Sequence, residues 1–305
     1  MTLTIAAPAW GDDGRTVLDA PAPPTLPALA HSKLTYTFEV TGAEIDPSPK
    51  GSSIFVLPEL SSKRAYAWFL HNEVEAPLIK RKVFIGGAQD FVAGSVPGVG
   101  HDFFFGSPEV WARALWSSLL GMSAGGGLGI VFPAPRTPSL TQEKIFDTVR
   151  VVRPWDAAYF TDWTLTLRPF VDVRHQTHHF TFQLRQGLDI SFVLRDLRPA
   201  ERRIDYAART TFYIGYRAAE SIGVGLEIWE LYLITANVSD DKRAAVAMSP
   251  SIRFMLGRIE PALSILFPIA TPLRGDAVSF LAARLNVGLD FDLNRVLGKE
   301  HEQER

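Results

Sequence analysis

Apolar and polar residues alternate with a period of two through most of this chain. In 163–174, Trp163, Leu165, Leu167, Pro169, Val171 and Val173 are interleaved with Thr164, Thr166, Arg168, Phe170, Asp172 and Arg174. In 180–194, Phe180, Phe182, Leu184, Leu188, Ile190, Phe192 and Leu194 share one parity. Thr181, Gln183, Arg185, Gly187, Asp189, Ser191 and Val193 take the other. The same order runs through 33–41, where Leu34, Tyr36, Phe38 and Val40 alternate with Thr35, Thr37, Glu39 and Thr41. It returns at the end, where Leu285, Val287, Leu289, Phe291 and Leu293 alternate with Asn286, Gly288, Asp290 and Asp292. Period two is the signature of strands with one apolar and one polar face.

Alternation also occurs in soluble antiparallel sheets, so strand length decides between the readings. Strands of globular proteins are usually about 5–6 residues long, whereas a tilted strand that crosses a bilayer needs roughly 9–11. The alternating segments here fall at 33–43, 64–76, 81–91, 108–118, 120–132, 161–174, 178–195, 205–216, 221–236, 243–256, 259–269 and 278–293. That pattern predicts an all-β fold: a closed antiparallel transmembrane β-barrel of about twelve strands, with ten or fourteen as alternatives. The segments 64–76 and 81–91 are the weakest, because 53–60 could form a strand of its own.

One stretch, 114–135, lacks charge over a length that could span a membrane as a helix. Its order argues for a strand. Leu120, Met122, Ala124, Gly126, Leu128, Ile130 and Phe132 alternate with Gly121, Ser123, Gly125, Gly127, Gly129 and Val131, large residues against small. Each interior glycine would also weaken a helix by about 1 kcal/mol relative to alanine.

The connections alternate in length. Short turns are expected near 77–80, 176–177, 218–220 and 257–258, and long ones at 42–63, 93–108, 133–160 and 196–204. Outer-membrane barrels pair short periplasmic turns with longer external loops, so this order places both termini in the periplasm. Within 133–160, Ser139 and Gln142 form an S-x-x-Q capping box ahead of Ile145, Phe146 and Val149, which predicts a short helix.

The final segment, 284–293, resembles the C-terminal assembly signal of bacterial outer-membrane β-barrel proteins. Asn286, Gly288, Phe291 and Leu293 match it in turn, although a polar tail, 294–305, follows where many such proteins end. The resemblance implies that the barrel assembly machinery recognises this strand during insertion. The expected organisation is 1–32 as a residual signal and Pro-rich periplasmic segment, 33–293 as the barrel and 294–305 as a periplasmic tail. At the N-terminus, Ala7-Pro8-Ala9 after a short apolar stub reads as a signal peptide lacking its front half, or as an ordinary frayed terminus.

Composition changes this picture little. A net charge of -2 offers no basic stripe for nucleic acid, and the absence of cysteine removes disulfides and thiolate chemistry. His175, His178 and His179 cluster at a turn without carboxylates at ligand spacing, so neither metal nor cofactor is expected, and no histidine stands near a serine in a setting that suggests a hydrolase. The polar faces place Asp162, Arg168, Asp172, Arg174, Arg185, Asp189, Arg209, Glu227, Arg253, Arg284 and Asp290 in the lumen. There they either line a constriction selective for small polar solutes or pair across a filled barrel. The expected function is an outer-membrane barrel forming a narrow channel or binding site for small polar solutes, with outer-membrane lipid around it. A non-conducting barrel acting as an anchor or interaction protein through its external loops is the alternative. A soluble lipid-binding β-protein would explain the alternation but not the strand length.

Overall fold

A computed structural model describes residues 34–47, 65–79, 82–117, 122–134, 138–177, 179–197, 202–219, 221–236, 243–254, 256, 259–269 and 278–291. The strands are β1 Leu34–Pro47, β2 Ala65–Ile79, β3 Val83–Val96, β4 Gly100–Phe105, β5 Glu109–Ser117, β6 Met122–Val131, β7 Thr164–Gln176, β8 Phe180–Val193, β9 Ile204–Ala219, β10 Ile222–Leu233, β11 Ala244–Phe254, β12 Ile259–Pro268 and β13 Val278–Phe291. Between β6 and β7 lie the helix α1 Leu140–Val152 and a 3₁₀ segment, Pro154–Phe160.

Every sequential neighbour except β4 and β5 pairs antiparallel, and β1 also pairs with β13 along its whole length. β4 and β5 both run against β3, β4 on Phe91–Val96 and β5 on Val83–Ala88. They are two halves of one broken strand, so the sheet closes as a barrel of twelve. The break falls at 106–108, where Pro108 has no N–H for the ladder and Ser107 N–H donates instead to the carbonyl of Tyr159 at 2.7 Å. The sequence reading took 93–108 as a loop. The structure corrects this: β3 continues to Val96 and β4 returns from Gly100. No helix among the described residues is long and apolar enough to cross a membrane, and the uncharged stretch contains the end of β5 and all of β6. The segments 1–33, 48–64 and 292–305, with the signal stub, the Pro-rich segment, the 53–60 alternative, Leu293 and the polar tail, lie outside the described residues.

The faces are inverted relative to a soluble protein. Thr164, Thr166, Arg168, Asp172 and Arg174 of β7 are buried, while Val171 between them is 60% exposed and Val173 also faces outward. On β8, Thr181, Gln183 and Asp189 are buried and Phe182 and Leu184 are exposed. An apolar exterior around a polar interior is stable only where the surrounding solvent is hydrocarbon.

Exposed aromatic residues mark both rims of the apolar band. Trp116, Phe180 and Tyr216 sit near the short turns, and Tyr66, Trp68, Trp163, Tyr206 and Tyr232 near the long loops. From Tyr206 to Tyr216 is ten positions of β9. At ~3.3 Å per residue and a tilt of ~40°, that rises about 25 Å, the height of the apolar band of an outer-membrane barrel.

The long connection between β6 and β7 folds inward. Ser139 caps α1 through the capping box, accepting from Gln142 N–H while Gln142 Oε1 accepts from Ser139 N–H. The helix buries Ile145, Phe146, Val149 and Val152, one face at helical spacing. With Trp155, Ala158, Tyr159 and Phe160 of the 3₁₀ segment they meet inward-facing Ala65, Ala67 and Phe69 of β2, Val92 and Val96 of β3, Phe104 of β4 and Leu231 of β10. This apolar cork occupies the lumen toward the long-loop end.

Candidate functional site: the barrel lumen

Below the cork the inner face becomes polar. On β2 the inward series runs from Ala65, Ala67 and Phe69 to His71, Glu73 and Glu75. On β5 the inward residues are Glu109, Trp111, Arg113 and Leu115. Nearer the short turns, Arg174, Gln183, Tyr213, Glu227 and Ser249 are buried in one register row from β7 to β11 and form a floor. Gly225 makes room for Tyr213, since a Cβ there would stand 2.7 Å from the phenol oxygen.

Between cork and floor lies a cavity of about 130 Å³. Its wall is crossed by charge pairs. Arg113 holds Glu75 bidentately, Nε to Oε2 at 2.7 Å and Nη2 to Oε1 at 2.5 Å, with Phe84 beneath the guanidinium. Trp111 Nε1 donates to the same carboxylate at 3.1 Å. Arg168 donates to Glu109 at 3.0 Å, to Asp189 at 3.2 Å and to the Trp155 carbonyl at 3.1 Å. Arg209 donates to Asp189 at 2.6 Å, and Arg185 donates to Asp172 at 2.9 Å while lying over Phe170. His71 Nδ1 lies 2.5 Å from Asp90 Oδ1, and its Nε2 lies 3.4 Å from Glu73.

The inward-folded segment joins this network. Arg153 donates to Glu39 at 2.5 Å and to Asp156 at 2.6 Å, and Tyr159 donates its hydroxyl to Glu109. Burial acts to lower the Arg153 pKa, but the Asp156 and Glu39 carboxylates outweigh it and hold the guanidinium charged. Burial pushes the Tyr159 phenol well above its ordinary value, against the pull of the Arg168 charge, with Glu109 adding to the rise. Trp155 stacks on Trp229 of β10 with ring centroids 4.9 Å apart.

Of the charged residues expected in the lumen, the structure brings Arg168, Asp172, Arg185, Asp189 and Arg209 to the cavity or its wall. Arg174 and Glu227 lie in the floor, and Arg253 on β11 pairs with Glu260 of β12 at 3.4 Å. Asp162 departs from expectation: it lies in the turn before β7, where its carbonyl accepts from Thr164 Oγ1, and not on a strand face. Arg284 and Asp290 are placed by backbone register only, opposite Thr41 and Thr35, and Asn286 and Gly288 opposite Glu39 and Thr37. His175 and His179 belong to no metal-competent cluster among the described residues.

Sequence reasoning missed the larger half of the site: His71, Glu73, Glu75, Asp90, Glu109, Arg113, Arg153, Asp156 and Tyr159. On β2 the inward face is apolar near the cork and charged below it, and on β3 Asp90 is the one charge in an otherwise small or apolar inward series, so alternation is lost where the charges begin. An available signal was Glu109, Trp111 and Arg113 at period two.

No protein-family model matches the chain, and no curated protein matches it in sequence. Solved structures match in fold. An outer-membrane channel from Pseudomonas putida F1 aligns at a TM-score of 0.59 and 10% identity, covering 86% of this chain and 98% of that one. The translocator domain of the autotransporter NalP from Neisseria meningitidis gives 0.49 at 7% identity, covering 86% and 90%. KdgM porin gives 0.43 at 10% identity, covering 83% and 99%. At such identities the first likeness shows the shared barrel architecture.

Proposed function

We propose that this chain, a β-barrel of the bacterial outer membrane, is a narrow channel that binds and passes small polar solutes, with the β6–β7 segment as its internal constriction. The short-turn end, where β1 begins and β13 ends, faces the periplasm, and the long loops face outward. The observation that carries this reading is the polar cavity at mid-lumen. It is lined by guanidinium, carboxylate, indole and hydroxyl groups and closed above by a segment held through packing and ion pairs, with no covalent bond. Arg168, Arg185 and Arg209, against Glu73 and Glu109, set the ion preference of such a constriction.

Insertion of the purified, folded protein into planar bilayers tests the reading. Small discrete conductance steps are expected. Silent membranes, from protein whose gel migration shifts on boiling, would refute it.

A second reading, the non-conducting barrel, is favoured by one specific observation: the cork is an apolar core in its own right, with Phe104, Phe146 and Phe160 in mutual ring contact. On either reading β13 carries the assembly signal. It is the last described strand and closes the barrel on β1, where the barrel assembly machinery would engage its edge.

A further inference from the structure

Two arginines on one side of the cavity have most of their donors unused. Arg185 gives one hydrogen bond, from Nη2 to Asp172, and Arg209 gives one, from Nε to Asp189. Among the described residues neither guanidinium has another hydrogen-bond partner, whereas Arg153 and Arg168 each spend three nitrogens on protein acceptors. Their side chains keep 17% and 19% exposure, and both line the cavity. Register sets Thr211 directly opposite Arg185 and Gly187 opposite Arg209, so the two arginines and the Thr211 hydroxyl form one edge on adjacent strands. A planar fork with free N–H groups beside a hydroxyl suits a carboxylate.

The facing wall offers the complement. In the twelve-membered ring β2 stands opposite β9 and β1 opposite β8. Among the described residues Glu73 on β2 has one polar partner, His71, at a long 3.4 Å, and is 25% exposed. The Thr37 hydroxyl of β1 lies beside it in register and lines the same cavity. A carboxylate with free acceptor capacity beside a hydroxyl suits an ammonium group.

We infer that the cavity is a binding site for a small zwitterion, a solute carrying a carboxylate and an ammonium a few atoms apart. Its carboxylate docks on Arg185, Arg209 and Thr211, and its ammonium docks on Glu73 and Thr37. This rests on the solute-binding reading above and adds the charge pattern of the solute. A monovalent anion or cation would satisfy one wall and leave the other solvated by trapped water, so it binds more weakly.

Tryptophan fluorescence of the detergent-folded full chain tests the inference, because Trp111, Trp155 and Trp229 line the cavity. The probes are β-alanine, propionate and propylammonium, which share a carbon chain and differ in charge. β-Alanine should saturate at a concentration about tenfold below either singly charged analogue, the factor expected from one added charge contact of ~1.4 kcal/mol. Arg209→Gln should raise the β-alanine midpoint to that of propylammonium and leave propylammonium unchanged. Glu73→Gln should raise it to that of propionate. Should Arg209→Gln fail to fold, Glu73→Gln still decides, since among the described residues Glu73 has only its long polar contact to His71. Propionate saturating as readily as β-alanine would mean a plain anion site and overturn the inference, as would the absence of saturation with any probe. Saturable β-alanine binding with silent bilayers would sink the channel and leave the zwitterion site standing. Conductance without the preference would do the reverse.

Discussion

Glu109 on β5 and Arg168 on β7 form a 3.0 Å ion pair across an intervening strand, because the residue between them on β6 is Gly129. Both partners are buried. A side chain at Gly129 would be driven into the Glu109 carboxylate. The glycine run that gave β6 its large-against-small alternation is therefore what lets charges on β5 and β7 meet. At Gly127 a Cβ would likewise stand 2.7 Å from the Phe170 ring and 2.8 Å from Arg113 Cβ.

Gly129→Val should break this pair, leaving Arg168 its bonds to Asp189 and the Trp155 carbonyl and Glu109 its bond from Tyr159. The expected loss is ~1.5–3 kcal/mol, the value of one hydrogen bond between charged groups. Urea unfolding in detergent, followed by gel migration, reads it. Unchanged stability would mean that the pair is not held across β6.

Leu184 is exposed on the outer face of β8, near mid-height of the strand. Leu184→Arg should cost ~2–4 kcal/mol in bilayers, the penalty for Arg near the midplane. Leu184→Phe should cost less than 1. Equal tolerance of both would show that this face does not meet lipid. Gln183, its neighbour, is not the tolerant control that an open lumen would make it, because it lies buried in the floor row.

The barrel was largely legible in the sequence. All twelve alternating segments are strands, and the faces of β7 and β8 agree residue by residue with the pattern. Period two survives wherever one side meets lipid and the other a polar interior. What could not be read was the destination of the β6–β7 connection. The capping box at Ser139 marks a helix, but that helix packs into the lumen against β2, β3, β4 and β13, all remote in sequence. It turns the inner face of β2 apolar over half its length and that of β3 apolar at Val92 and Val96, which hides the face assignment. The charged partners of Arg153, Arg168 and Tyr159 lie between 3 and 114 positions away in the chain, and no local pattern specifies them.

Tyr159 donates to Glu109, and its folded pKa is raised chiefly by burial. In the unfolded chain the phenol ionises near pH ~10. The folded form holds its proton more tightly, so this contribution is complete below that pH and is lost as pH rises through the folded pKa. Unfolding midpoints between pH 8 and 12 should fall for the wild-type protein. Tyr159→Phe should be less stable at pH 8 by ~1.5–3 kcal/mol, the value of a hydrogen bond to a charged group, and should show a shallower alkaline decline. Parallel pH curves for the two proteins would contradict this.

Arg153 joins the constriction to the wall through Glu39. Arg153→Ala should remove the guanidinium that bridges buried Glu39 and Asp156, at ~3–5 kcal/mol. The segment should then leave the wall more often, which raises open probability in bilayer recordings. A fall in open probability in folded protein would show that Arg153 lines the open path and does not latch it.

The most direct measurement locks the segment in place. The native chain has no cysteine, and a Cβ at Gly94 on β3 would stand 2.8 Å from Ile145 Cγ2 on α1. The double variant Gly94→Cys, Ile145→Cys therefore brings two thiols together where α1 meets the wall. Single-channel recording should show discrete steps under reducing conditions, their disappearance on oxidation and their return with dithiothreitol. Steps of unchanged size and frequency in the oxidised protein, with the disulfide confirmed by mass spectrometry, would show that ions do not pass where this segment sits.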